Sequence, residues 1–213
     1  MGEPLRNARR GAGAAEGARP ADALGGRAAD LLPRGLTTAV ELVYETHSIS
    51  VDNERGIATG WRDGELSERG RALARALGER RRDADVVYAS DLGRAVETAE
   101  IAFGGTGITV RLDRRLRECD YGELNGRPAR EVESVRAAHV DEPFPGGQSY
   151  RDVVEQTRGL LDDIVAGHDG QRVVVIAHSA NRWALQHLLE GTPLEELVVA
   201  PFEWQEGWIY RLS

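Results

Sequence analysis

No lysine occurs in this chain of 213 residues, because all 27 of its basic residues are arginine. A P-loop needs its lysine to reach the bound phosphates, and a Schiff base needs a lysine amine, so both chemistries are excluded. Cysteine is almost as scarce. The lone Cys119 permits no intrachain disulfide and no thiolate cluster, which suits a reducing compartment. No stretch approaches the ~18 consecutive apolar residues of a spanning helix, and the opening residues lack the apolar core of a secretory signal. The expected location is the cytoplasm, without a membrane partner. An excess of positive charge is missing too. The net charge is -8, and phosphate-backbone binding wants a basic field, so nucleic acid is not expected as a partner.

What is present falls into two compositions. Residues 1–35 are mostly Ala, Gly, Arg and Pro with little aliphatic bulk, a mixture that cannot offset its own ordering entropy. They are expected to form a disordered low-complexity extension. Residues 36–213 are expected to form one domain, in which strand and helix patterns alternate. T-T-A-V-E-L-V-Y-E reads as a first strand, followed by an amphipathic helix from the N-cap candidate Ser67. D-V-V-Y-A-S is a second strand, with Ser90 predicted to cap the helix that follows, and I-T-V-R-L a third. A helix near Ala129 to Ala138 and a longer one through Ala166 lead to the most apolar strand, Q-R-V-V-V-I-A. A helix over N-R-W-A-L-Q-H-L-L-E and a last strand, E-G-W-I-Y-R-L, complete the chain. The alternation predicts an α/β fold with a mostly parallel central sheet and helices on both faces.

Two of these strands run into a histidine, His47 after the first and His178 after the most apolar one. In open α/β sheets the carboxyl edge is where ligands bind, so the pair is predicted to face one crevice. Taken singly, each histidine has a commoner reading as a hydrogen-bonded structural group. Arg94 adds an independent argument, since it lies in the first turn of a helix, where the macrodipole disfavours a cation unless an anion compensates it. A surface pairing with Glu97 or Asp91 is the alternative. Ser179 and Ala180 open the helix after His178, and their amides are candidates for binding an oxyanion.

With these residues in place the chain resembles the histidine phosphatases, also called the phosphoglycerate mutase-like superfamily. Counting from His47, the family's fixed positions fall at Asn53, Gly60, Asp63, Leu66 and Gly70 without a gap. A-S-D-L-G-R-A-V-E-T-A is similar to the family's next segment, L-R-E-C-D-Y-G-E-L-N-G to the one with its acidic residue, and V-V-V-I-A-H-S to the one with its second histidine. The resemblance implies that His47 is a nucleophile that becomes transiently phosphorylated, that Arg94 and His178 hold phosphoryl oxygens, and that Glu118 protonates the leaving group. Asn53 stands at a family position, the hydroxyls of Thr46, Ser48 and Ser179 are further candidates for holding the phosphate, and no cofactor is expected. A metal site is not expected, since five histidines and one cysteine offer no ligand spacing such as H-E-x-x-H. The expected partner is a small phosphorylated substrate, and assembly into a homodimer is left open.

Three departures qualify the resemblance. The family's arginine before the first histidine is Thr46 in this chain, and the glycine after it is Ser48. Gln148 stands where glutamate is usual. Loss of a guanidinium removes a charge-assisted clamp, for which Arg182, Arg62 and Arg55 are candidate substitutes. Tyr44, Trp61, Cys119, Asp120, Tyr121 and His139 are candidates for the mouth of the site, although packing or loop roles fit them as well. His187 is expected to be structural and His168 to lie at the surface. The favoured function is a metal-independent phosphomonoester hydrolase, and a mutase-like phosphotransferase or a silenced anion-binding protein are the alternatives.

Overall fold

The computed structural model describes residues 39–213, so the extension expected over residues 1–35 lies outside it. The first strand, β1 (Val40–Thr46), leads through a short helix α1 (Val51–Arg55) and a two-residue strand β2 (Ile57–Ala58) into helix α2 (Glu68–Arg80). Strand β3 (Val86–Ala89), helix α3 (Gly93–Phe103) and strand β4 (Thr109–Leu112) follow. After two single turns come β5 (Arg127–Pro128), α4 (Ala129–Val135) and α5 (Tyr150–Gly167). The chain finishes with β6 (Arg172–Ala177), α6 (Ser179–Leu185) and its π-type continuation, α7 (Leu194–Val199) and β7 (Trp208–Leu212).

Five strands form the central sheet in the order β4-β3-β6-β1-β7. All neighbours are parallel except β7, which runs antiparallel to β1 at one edge. The expected α/β architecture is therefore the one observed. Side-chain alternation in the central strands explains its two covered faces. Val40, Leu42 and Tyr44 of β1 join Val173, Val175 and Ala177 of β6 beneath Leu160, Leu161 and Ile164 of α5. Their neighbours Val43, Val174 and Ile176 point the other way and meet Leu77 of α2 with Ala95, Ala99 and Phe103 of α3. A third cluster, built around Phe144, Tyr150 and Trp183, packs α4, α5, α6 and α7 together.

Ser67 caps α2 as predicted, accepting from the Gly70 amide at 3.1 Å, and Ser149 caps α5 in a capping box. Ser90 does not cap α3. That helix starts two residues later behind Leu92, and the Ser90 hydroxyl instead accepts from the Leu92 amide. His168 also departs from expectation. It is buried at the end of α5, where its ring meets the Tyr88 hydroxyl at 2.9 Å and Gln171 at 2.6 Å. A polar residue just past a helix reads as solvated in sequence, and only the neighbouring strand buries it. His187 is structural as expected, its ring engaged by the Thr192 carbonyl and Arg151. The short elements α1, β2, β5 and α7 were not anticipated, because they are below the length at which periodicity can be read.

Candidate active site

Register between parallel strands builds the centre of the site. Thr46 is paired with Ala177 across β1 and β6, so the residues that follow, His47 and His178, leave the sheet side by side. Their rings stand 4.9 Å apart. On the other side of β6, β3 ends in the loop that starts α3 and delivers Arg94. Three adjacent strands thus end at one place on the carboxyl edge, where an α/β sheet binds ligands.

His47 is half-buried, and its Nδ1 lies 2.7 Å from the carbonyl oxygen of Ser48. A carbonyl can only accept, so Nδ1 carries the proton and Nε2 keeps its lone pair. Burial first, and the Arg94 charge second, push the pKa of this ring down to about 3. The imidazole is therefore neutral near pH 7. His178 is fully buried and held neutral by the same two causes. Its Nδ1 accepts from Arg94 Nη2 at 3.3 Å, which assigns the proton to Nε2. That Nε2 has no hydrogen-bond partner among the described residues.

Arg94 is 2 % exposed. It donates to the carbonyls of Gly60 at 2.9 Å and Arg62 at 3.5 Å as well as to His178. Neither carboxylate considered for it is available. Glu97 is bound to Arg71 at 2.6 Å and Asp91 to Arg117 at 2.7 Å, and Arg94 forms no ion pair among the described residues. Burial pushes its pKa down, and a buried guanidinium is costly when no anion accompanies it.

Glu118 is buried beside this cluster. One carboxylate oxygen accepts from the amides of Cys119 at 2.8 Å and Ala180 at 3.3 Å, and the other accepts from the Ser179 hydroxyl at 2.9 Å. The donors expected to face an oxyanion, Ser179 and Ala180, thus hold Glu118 instead. Ser48 is buried, and its amide donates to the Thr98 hydroxyl at 3.0 Å. Asn53 is the third residue of a capping box on Ser50, which occupies its side-chain oxygen. Thr46, Ser48, Asn53, Glu118, Ser179 and His47 nevertheless all line one cavity of about 540 Å³.

The arginines proposed to replace the missing guanidinium do not reach this cavity. Arg182 is buried against the faces of Trp208 and Tyr210 and pairs with Glu190 at 3.5 Å. Arg55 and Arg62 line a separate shallow depression with Asp52 and Asp63. The guanidinium groups that do line it, Arg69 and Arg80, come from α2. Among the mouth candidates, Tyr44, Cys119 and Tyr121 are buried in the core and His139 stacks on Phe144. Asp120 takes hydrogen bonds from the Gly122 amide and Asn125. Gln148 ties the same loop down through its contacts with Asp120.

One supporting residue, Thr98, escaped the sequence reading, and a mouth candidate, Trp61, has a supporting role. The Thr98 hydroxyl donates to the Arg94 carbonyl at 2.7 Å while accepting from Ser48, so it joins α3 to the loop after His47. Its position four residues after Arg94 on one helix was the available signal. Trp61 donates from its indole to the Glu118 carbonyl at 2.6 Å, and the Arg117 guanidinium lies over its ring. Gly60 lets this loop pass. Its φ is +56°, and a Cβ there would fall 1.7 Å from the Asn125 side chain.

The arrangement can hold a tetrahedral anion between Arg94 and His178 and present a neutral nitrogen nucleophile to it, with a carboxyl group nearby. Comparison with known proteins identifies the family. Residues 45–206 match the model of the histidine phosphatase superfamily, branch 1. A 2,3-bisphosphoglycerate-dependent phosphoglycerate mutase of Brucella anthropi is 32% identical over 81% of this chain and 92% of its own. One of Methylobacterium radiotolerans is 34% identical over 81% and 89%. Among solved structures, Bacillus stearothermophilus YhfR superposes with a TM-score of 0.70 at 29% identity, covering 80% of this chain and 90% of that one. A mycobacterial glucosyl-3-phosphoglycerate phosphatase in complex with VO3 superposes with a TM-score of 0.66 at 28% identity over 76% and 87%. The chain belongs to the histidine phosphatase superfamily.

Proposed function

We propose that this superfamily member is a phosphomonoester hydrolase acting through a phosphohistidine on His47, without a metal. The observation that carries the proposal is a buried guanidinium without a counter-ion beside a buried ring N–H without an acceptor. Arg94 has no carboxylate and His178 Nε2 has no acceptor, and both adjoin the free Nε2 of His47. A phosphoryl dianion supplies what both lack, and preorganised donors of this kind stabilise the charge that spreads over the equatorial oxygens during transfer.

His47 Nε2 attacks phosphorus, and the Ser48 carbonyl holds the proton on Nδ1 so that the attacking nitrogen stays free. Glu118 gives a proton to the departing alcohol oxygen and takes one from the water that later cleaves the N–P bond, which restores neutral His47. The Ser179 hydroxyl and the Cys119 and Ala180 amides fix that carboxyl in place. Thr46, Ser48 and Asn53 complete the wall with hydroxyl and amide groups where a guanidinium is absent.

Turnover of a chromogenic aryl phosphate in the presence of EDTA tests the reading. A brief pulse of labelled substrate is expected to leave an acid-labile, alkali-stable adduct that His47→Ala removes. Full activity in that variant would sink the mechanism. The names of the Brucella and Methylobacterium relatives favour a second reading, a phosphoglycerate mutase-like transferase. It is tested by incubating with 3-phosphoglycerate and asking by phosphorus NMR whether an isomer or free phosphate appears. Phosphate binding without turnover would instead identify an anion-binding protein.

A further inference from the structure

The cavity that holds His47 is larger than a phosphoryl group fills, and its second half has a different chemistry. Beyond the polar residues its wall is Ile49, Leu73, Leu77, Phe202 and Trp204. Leu73 and Leu77 lie one turn apart on α2, whose early turns are pressed onto the loop after His47. A Cβ at Gly70 would fall 1.9 Å from the Ile49 carbonyl, so this wall sits directly beside the nucleophile. Phe202 is anchored edge-on against Trp183 and Trp208. Trp204, by contrast, is 56% exposed, and its indole forms no hydrogen bond among the described residues.

Most charges on this side are paired, the exposed Arg69 being the exception, with no ion pair among the described residues. Glu45 is buried and bound to Arg81 at 2.7 Å, while Arg80 lies 3.9 Å from Glu45 and 3.6 Å from Glu206. The lobe is therefore not built to read a polar alcohol such as a sugar, which needs several free donors and acceptors to replace its water. An exposed tryptophan beside a leucine wall gains by being covered with an apolar group.

We infer that the preferred substrate is a phosphomonoester of a bulky apolar alcohol, whose hydrocarbon part lies between Leu73 and the Phe202–Trp204 segment. This rests on the phosphomonoesterase reading above. It also gives Thr46 a role. A short side chain at the junction of the polar and apolar halves leaves the passage between them open, where an arginine would place a long charged one.

The test compares n-octyl phosphate and 2-phenylethyl phosphate with glycerol 1-phosphate in the full chain. All three are esters of primary alcohols, so intrinsic reactivity contributes little to the difference. The expected kcat/KM is at least about tenfold higher for the two apolar esters, the scale of discrimination that a hydrophobic pocket provides. Trp204→Ala and Leu73→Ser are expected to narrow that ratio severalfold. Equal or better use of glycerol 1-phosphate, or a ratio untouched in both variants, would overturn the inference while leaving the phosphatase reading intact. Should none of the three esters be hydrolysed, the reading above fails instead. The inference is then decided by binding, followed through tryptophan fluorescence with Trp204→Phe as control. Octyl phosphate is expected to bind at least about tenfold more tightly than glycerol 1-phosphate, and equal affinities would overturn it.

Discussion

At the polar end of the site the key side chains are held by directional hydrogen bonds, whereas at the apolar end most are held by packing alone. His47, His178 and Arg94 come off the ends of three hydrogen-bonded strands; His47 and Arg94 are further tied to carbonyls and His178 to the Arg94 guanidinium. Leu73 and Trp204 come from a helix surface and an irregular segment, and Trp204 is more than half exposed. The difference follows the physics of the two tasks. Phosphoryl transfer needs donors fixed to a fraction of an ångström. Apolar contact is non-directional and tolerates loose placement. Changes at the polar end should therefore lower kcat for every substrate, and changes at the apolar end should act on the choice among them.

The largest expected effect is at Arg94. Arg94→Ala removes the buried guanidinium proposed to hold the phosphoryl group and should lower kcat by roughly 100- to 1000-fold on apolar and polar esters alike. Steady-state kinetics with both ester types checks this, and a loss confined to one of them would break the division between the two ends. Gly60→Ala comes next. The added methyl meets Asn125, and the positive φ is strained for alanine. Its expected cost is on the order of 1–3 kcal/mol in stability, read by denaturant unfolding, with turnover reduced because Gly60 and Arg62 carry the carbonyls that orient Arg94.

Thr46→Arg sharpens the comparison at the junction. A second guanidinium close to Arg94 repels it when no dianion lies between them, and its length obstructs the way to the apolar lobe. Turnover of octyl phosphate is expected to fall severalfold. A clear gain in turnover with folding unchanged would mark the site as a weakened phosphatase centre, not one reshaped for its substrate.

The last prediction concerns pH. His47 titrates at about 3 in the folded protein against an ordinary value of 6.5. The unfolded chain therefore binds the extra proton first, and stability rises with pH across this window. The contribution is complete above about pH 6.5 and is lost as the pH falls towards 3. In His47→Gln the denaturation midpoint should vary less between pH 6.5 and 4 than in the parent. For the same reason the kcat/KM profile should show no limb from His47 between pH 5 and 7.

Much of this was legible before any coordinates. The strand ends at His47 and His178, the helix cap at Ser67 and the helical position of Arg94 are local patterns. Each is set by residues within one or two turns of the feature it specifies. The same logic failed at Ser90, where a plausible cap lies two residues ahead of the helix, and at His168, where burial comes from Tyr88 far away in the sequence. It failed more consequentially at Ser179 and Ala180. A helix start predicts free amides, but Glu118, 62 residues away, occupies the Ala180 amide and also takes the Ser179 hydroxyl.

Alternation of apolar side chains, strand by strand, was sufficient to determine an α/β sheet covered on both faces, and the spacing of motif residues from His47 was sufficient to indicate the family. Both are properties of short stretches, for which backbone geometry converts sequence spacing directly into direction. Only the tertiary structure decided which donors are left unanswered and what stands opposite the site. Register between β1 and β6 brought the two histidines together, Arg71 and Arg117 removed the carboxylates that Arg94 could have used, and α2 with the 201–207 segment supplied an apolar wall. Each of these outcomes is a competition among groups far apart in the chain, settled by which pairings can form together in one packed structure.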